Sequence, residues 1–104
     1  MRNTTIIYYH KDRSQQALDL FHRLVGEWVS ATDTLPKTAR IGTNAYWARF
    51  EDGAEIRMVY AHDSARGFRW TEAYVPADIE EELLNTRIKP AGILAPPNSL
   101  HFYF

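Results

Sequence analysis

The segment "TTIIYYH", residues 4–10, strings β-branched and aromatic side chains together without alternation. A strand that is apolar on both sides belongs to a sheet covered on both faces, as parallel and mixed sheets are, so this one is expected near the centre. The period then changes. Between Ser14 and Ser30, Ala17, Phe21, Leu24, Val25 and Trp28 recur at spacings of three and four, while Gln16, Asp19, Arg23 and Glu27 fall largely elsewhere. This predicts an amphipathic helix, with Asp12 and Gln15 ahead of it in capping-box spacing. Pro36 disfavours helix at itself and at Leu35, which places a loop over residues 31–38.

"ARFEDGAEIRMVYA", residues 48–61, reads as a β-hairpin whose register can be tested against its faces. A two-residue turn at Asp52 and Gly53 would set Phe50 opposite Glu55 and mix apolar with polar positions. A three-residue loop of Glu51, Asp52 and Gly53, with Gly53 left-handed, instead pairs Phe50 with Ala54, Ala48 with Ile56 and Tyr46 with Met58. One face is then wholly apolar, and the other sets Arg49 beside Glu55 and Trp47 beside Arg57. That register is expected.

A loop follows, then a strand over residues 68–75, "FRWTEAYV". "PADIEEELLN" predicts a second helix with Asp78 and Glu81 in capping-box spacing and its glutamates at the positive end of the helix dipole. Three of the five prolines fall in "TRIKPAGILAPPNSLHFYF", which argues against a long helix there and leaves a short final strand over Leu100 to Phe104. The expected fold is α/β: one compact domain over residues 1–104 in the order βαβββαβ, its mixed sheet covered mainly by the helix of residues 14–30.

Composition narrows the function. Twelve Lys and Arg against thirteen Asp and Glu give a net charge of −1, neither the basic footprint of a duplex-wrapping protein nor the acidity of a nucleic-acid mimic. The absence of cysteine excludes disulfides, thiolate metal sites and cysteine nucleophiles. No apolar run reaches the length of a membrane span and no cleavable leader is evident, so a soluble, cytoplasmic protein without membrane contact is expected.

Catalytic patterns are missing. The glycines at 26, 42, 53, 67 and 92 form no phosphate loop, and no serine sits in a nucleophile elbow. His10, His22, His62 and His101 have no metal-binding spacing, so neither metal nor cofactor is expected. Asp52, Glu55, Asp63, Glu72 and Asp78 could gather round a magnesium ion in a nuclease, centred on Asp52, Asp63 and Asp78, but turn formation, cross-strand pairing and helix capping account for several of them. In the loop "HDSARGFRW", Arg66 and Arg69 flank Gly67 beside Phe68 and Trp70, a combination that can hold phosphates and stack bases. Its structural alternative is a turn capped by Asp63 and Ser64, with Phe68 and Trp70 entering the core. Trp47, Arg49, Arg57, Asp63, Arg66, Arg69 and Trp70 are thus the candidate residues for a partner or a nucleic acid.

The succession of "TTIIYYH", "SQQAL", "ARFEDGAEIRMVYA", "DSARGFR" and "TEAYV" resembles the central part of the ATPase domain of phage large terminases, over residues 4–80. In that family a strand and helix precede a hairpin of the type "FxNGSxIxF", an "RG" loop and a Walker B strand ending in two acids. Here no Walker A loop precedes the first strand, Asp78 stands nearest the magnesium acid, Ile79 occupies the place of the catalytic glutamate, and Pro76 interrupts the strand. The resemblance implies a fragment-like relative of a P-loop domain that keeps the scaffold without the ATP chemistry. The expected function is that of a small, non-enzymatic, phage-type protein binding a larger protein or nucleic-acid machine in packaging, recombination or host defence. A single-strand-binding module and a metal-dependent nuclease are the alternatives, and self-association through the final strand is an open expectation.

Overall fold

Ile6 and Ile7 are both fully buried, in cores on opposite sides of one strand. This is the unalternating pattern of the first segment realised in space, because neighbouring side chains of a strand leave on opposite faces. In the computed structural model, which describes residues 3–10, 12, 14–33, 36–41, 46–62 and 69–103, with 38–41 as backbone alone, that strand is β1 (Thr4–Tyr9). It lies inside a six-stranded sheet together with β2 (Thr38–Ile41), β3 (Tyr46–Arg49), β4 (Glu55–Tyr60), β5 (Glu72–Pro76) and β6 (Leu100–Tyr103), in the order β2-β3-β4-β1-β5-β6. β1 runs parallel to β4 and β5, and β6 runs parallel to β5. β2 and β3 extend the sheet antiparallel at one edge. The fold is α/β with a mixed sheet in a single compact domain, whose 13.0 Å radius of gyration is close to the roughly 13 Å expected at this length.

The helix α1 (Ser14–Thr32) covers one face, seating Ala17, Leu20 and Phe21 against Ile7, Ala48, Phe50, Ile56 and Met58. At its start Gln15 donates to Asp19 at 2.9 Å, so its side chain points forward along the helix, away from the capping role expected of it. At its end Asp33 adopts a left-handed φ of 54° and returns its amide to the Val29 carbonyl at 2.8 Å. The loop expected over residues 31–38 is therefore shorter, with helix reaching Thr32 and β2 beginning at Thr38. β2 is a strand the sequence did not suggest: four residues carry too little periodicity, and what makes them a strand is pairing with β3, from Thr38 opposite Arg49 to Ile41 opposite Tyr46.

The second face is covered by α2 (Glu81–Leu83), which passes through a π-type turn (Leu84–Ile88) into α3 (Lys89–Ala91). Leu83, Leu84 and Ile88 pack on Ile6, Tyr8, Val59, Ala73 and Val75. Helix starts at Glu81, behind an extended Glu80 whose own side chain makes no cap. Helix also runs further than the prolines suggested. Proline within a helix lacks the amide for the bond four residues back and crowds that carbonyl, but the π-type turn breaks this register just before α3, where Pro90 occupies the first turn. β5 is shorter than expected at its start and includes Pro76 as its last residue.

The hairpin has the expected register, Trp47 opposite Arg57, Ala48 opposite Ile56 and Arg49 opposite Glu55. Gly53 has φ 87°, the Phe50 amide donates to the Ala54 carbonyl at 2.9 Å, and Asp52 accepts from the Ala54 amide at 2.9 Å. A side chain with a Cβ would be strained at Gly53. Among the described residues no helix is long and apolar enough to cross a membrane.

Candidate functional site

The two faces of the hairpin meet different surroundings. Ala48, Phe50, Ile56 and Met58 enter the core under α1, and the alternate residues Trp47, Arg49, Glu55 and Arg57 leave on the opposite side. There α2 and α3 lie over β1, β5 and β6 and meet β4 at Val59, and no residue of β3 belongs to that core. Among the described residues, no helix covers the outer half of this face.

Glu55, its side chain 13% exposed, organises the patch by accepting from Arg57 Nε at 2.7 Å with Oε1 and standing 3.4 Å from Arg49 Nη2 with Oε2. The Arg49 guanidinium carbon lies 5.8 Å from the centre of the half-buried Trp47 ring. The cation over this ring is thus Arg49, whereas Arg57, the register partner of Trp47, turns along its own strand to Glu55. Two guanidinium groups against one carboxylate leave the patch positive beside a partly exposed indole.

Other expected site residues separate from it. Arg69 is exposed ahead of β5, but Trp70 is 6% exposed in the core and donates from its indole to the Ile88 carbonyl at 2.9 Å, so it has no face to offer a base. Asp63 and Arg66 lie outside the described residues, as does most of the arginine-glycine loop. The nuclease set is not assembled among the described residues. Asp52 closes the hairpin at the amino end of β4 and Asp78 follows the carboxyl end of β5, and since both strands run parallel to β1 the two carboxylates lie at opposite ends of the sheet.

At the carboxyl ends of the parallel strands the fold gathers a group that sequence spacing concealed. The chain leaves β1 into α1 on one face and leaves β5 toward α2 on the other, so the neighbouring strands β1 and β5 diverge there, the arrangement in which α/β sheets commonly hold ligands. His10 follows β1, His62 follows β4 and Glu80 precedes α2. One ligand atom from each lies within 4.8 Å of the other two. Tyr60 packs on the His62 ring at 5.2 Å, and the two imidazole centres are 5.9 Å apart. The only sequence signal was that both histidines close apolar strands; it becomes informative once those strands are known to be parallel neighbours.

At the opposite ends of the strands a cleft of about 420 Å³ opens between α1 and the sheet, lined by Thr5, Trp28, Thr71, Glu72 and Tyr74. Trp28 Nε1 is buried there with no partner among the described residues. Glu72 accepts from the Tyr74 hydroxyl at 3.3 Å and lies 2.8 Å from His101 Nε2. Burial first, and the Glu72 charge second, push the Tyr74 hydroxyl up to about 12; burial also pushes Tyr8 well above the ordinary tyrosine value.

Together the fold and these surfaces define an α/β domain with a basic and aromatic half-face that no described helix covers and a polar cluster at its strand ends. Compared with known proteins, the chain matches no family model, no curated protein and no solved structure.

Proposed function

We propose that the protein is a small, non-enzymatic binding module of a phage-type nucleic-acid machine, acting in the host cytoplasm, and that Trp47, Arg49 and Arg57 take single-stranded nucleic acid on the open half-face. The observation that carries this reading is the half-exposed Trp47 ring with Arg49 set over it and Arg57 across the pair of strands, on a half-face that no described helix covers. An indole stacks on any base, and guanidinium groups hold phosphates, so this combination suits a flexible single strand. Arg40 is the backbone register partner of Trp47 on β2. The likeness to the terminase core supports a role beside a nucleic-acid machine without ATP chemistry of its own.

Fluorescence anisotropy with labelled DNA and RNA single strands at low and moderate salt tests this. Binding that weakens steeply with salt and is lost in Trp47→Ala and Arg57→Ala is expected. No binding at micromolar protein, or binding indifferent to both substitutions, overturns it and returns the half-face to a protein partner.

A further inference from the structure

We propose that His10, His62 and Glu80 bind a divalent transition-metal ion of the zinc class. His62 Nε2 lies 3.6 Å from Glu80 Oε2, and His10 Nε2 lies 3.9 Å from Glu80 Oε1. Both distances exceed hydrogen-bonding reach. A histidine-glutamate ion pair would draw one imidazole into contact; here a single carboxylate stands between two imidazoles and closes on neither. The spacing is close to that around an ion. Bonds of about 2.0–2.1 Å in tetrahedral geometry set ligand atoms about 3.4 Å apart. One ligand atom from each of the three residues already lies within 4.8 Å of the others, and rotation of the half-exposed His62 and Glu80 side chains closes the set around an ion.

The ligand types select the metal. Two imidazoles with one carboxylate suit Zn²⁺, Co²⁺ or Ni²⁺, whereas Mg²⁺ and Ca²⁺ call for oxygen ligands throughout. Three protein ligands leave a fourth position for water. His10, with its side chain 12% exposed, is fixed in the fold, and His62 and Glu80, 48% and 50% exposed, give the ion an entry path. The ligands come from positions far apart in sequence, so a bound ion ties the ends of β1 and β4 to the start of α2. The site does not depend on the nucleic-acid reading, since Trp47, Arg49 and Arg57 contribute nothing to it.

The test uses the full chain without a histidine tag. Titration with Co²⁺, followed by visible absorption, and with Zn²⁺, followed by calorimetry, is expected to show one ion per chain with a Kd on the order of micromolar or below. Zn²⁺ should raise the Tm, because an ion bound only by the folded state stabilises it by mass action. His62→Ala and Glu80→Gln, both half-exposed, are expected to weaken binding on the order of tenfold or more, with His22→Ala and His101→Ala unchanged and Mg²⁺ unable to compete. Circular dichroism checks that each variant folds, and His62→Asn replaces any that does not. No saturable uptake, or equal affinity in wild type, His62→Ala and Glu80→Gln, overturns the proposal.

Discussion

The indole of Trp70 donates to the main-chain carbonyl of Ile88 at 2.9 Å, and the amide of the same tryptophan reaches the Ala91 carbonyl at 3.3 Å. The last four carbonyls of a helix have no partner within it. Here Trp70 takes two of them, while the amides of Gly92 and Ile93 take those of Lys89 and Pro90. A single side chain and amide, two positions ahead of β5, thus close the helix that covers β5. Trp70→Phe keeps much of the apolar volume but strands the buried Ile88 carbonyl, and is expected to cost about 1–3 kcal/mol. Trp28→Phe is the matched control, because it removes a buried N–H that has no partner among the described residues; it should change stability by less than about 0.5 kcal/mol or raise it. Urea unfolding of the two variants checks the contrast, and equal losses would contradict it.

Gly92 is held to glycine by the same tryptophan. A Cβ there would run into the Trp70 ring, inside any tolerated contact. Gly92→Ala should therefore destabilise by about 1–3 kcal/mol through overpacking. Because the obstacle is one ring, the double variant Trp70→Leu with Gly92→Ala should lose less than the sum of the single losses. Strict additivity in thermal unfolding would show that the ring is not the obstacle.

The hairpin shows what could be read from sequence, and Trp70 shows what could not. Only one register gives an apolar face to Ala48, Phe50, Ile56 and Met58, and that register is local, fixed by the turn at Gly53. β1 and α1 were equally legible, since each carries its own period. β2 has four residues and is defined by its neighbour, while the passage of helix through Pro90 depends on a π-type turn that no pattern announces. Arginines beside tryptophans identified Trp47 and Trp70 alike. Burial separates them, because the helix of residues 81–91 covers one and leaves the other open. His10, His62 and Glu80 meet only through the parallel pairing of β1 with β4 and the crossing to β5, contacts that spacing along the chain cannot express.

Glu55 gives the half-face a sign test. Its carboxylate pairs with both Arg49 and Arg57 and so supports the fold while offsetting the positive charge. Glu55→Gln should lower stability by about 1 kcal/mol, as a part-buried pair to a charged group would. Single-strand affinity should move the other way and rise. Arg57→Ala should weaken binding and reduce the slope of log affinity against log salt by about 0.7. A loss of affinity in both variants, measured by anisotropy, would point to disturbed folding rather than to charge.

Tyr74 sets an alkaline limit on stability. Its hydroxyl is raised to about 12, first by burial and then by the Glu72 carboxylate that accepts its hydrogen bond. In the unfolded chain a tyrosine ionises near about 10. Between these values the unfolded state releases a proton that the folded state retains, so the contribution is complete below about pH 10 and is lost as pH rises toward 12. Tyr8, raised by burial, acts in the same direction. The urea midpoint should therefore fall as pH rises through this window, and less steeply in Tyr74→Phe. Glu72→Gln removes the second cause and leaves the first, so phenolate absorbance should place the Tyr74 transition between the wild-type and the unfolded values. A Glu72→Gln transition at the wild-type position would show that burial alone holds the proton.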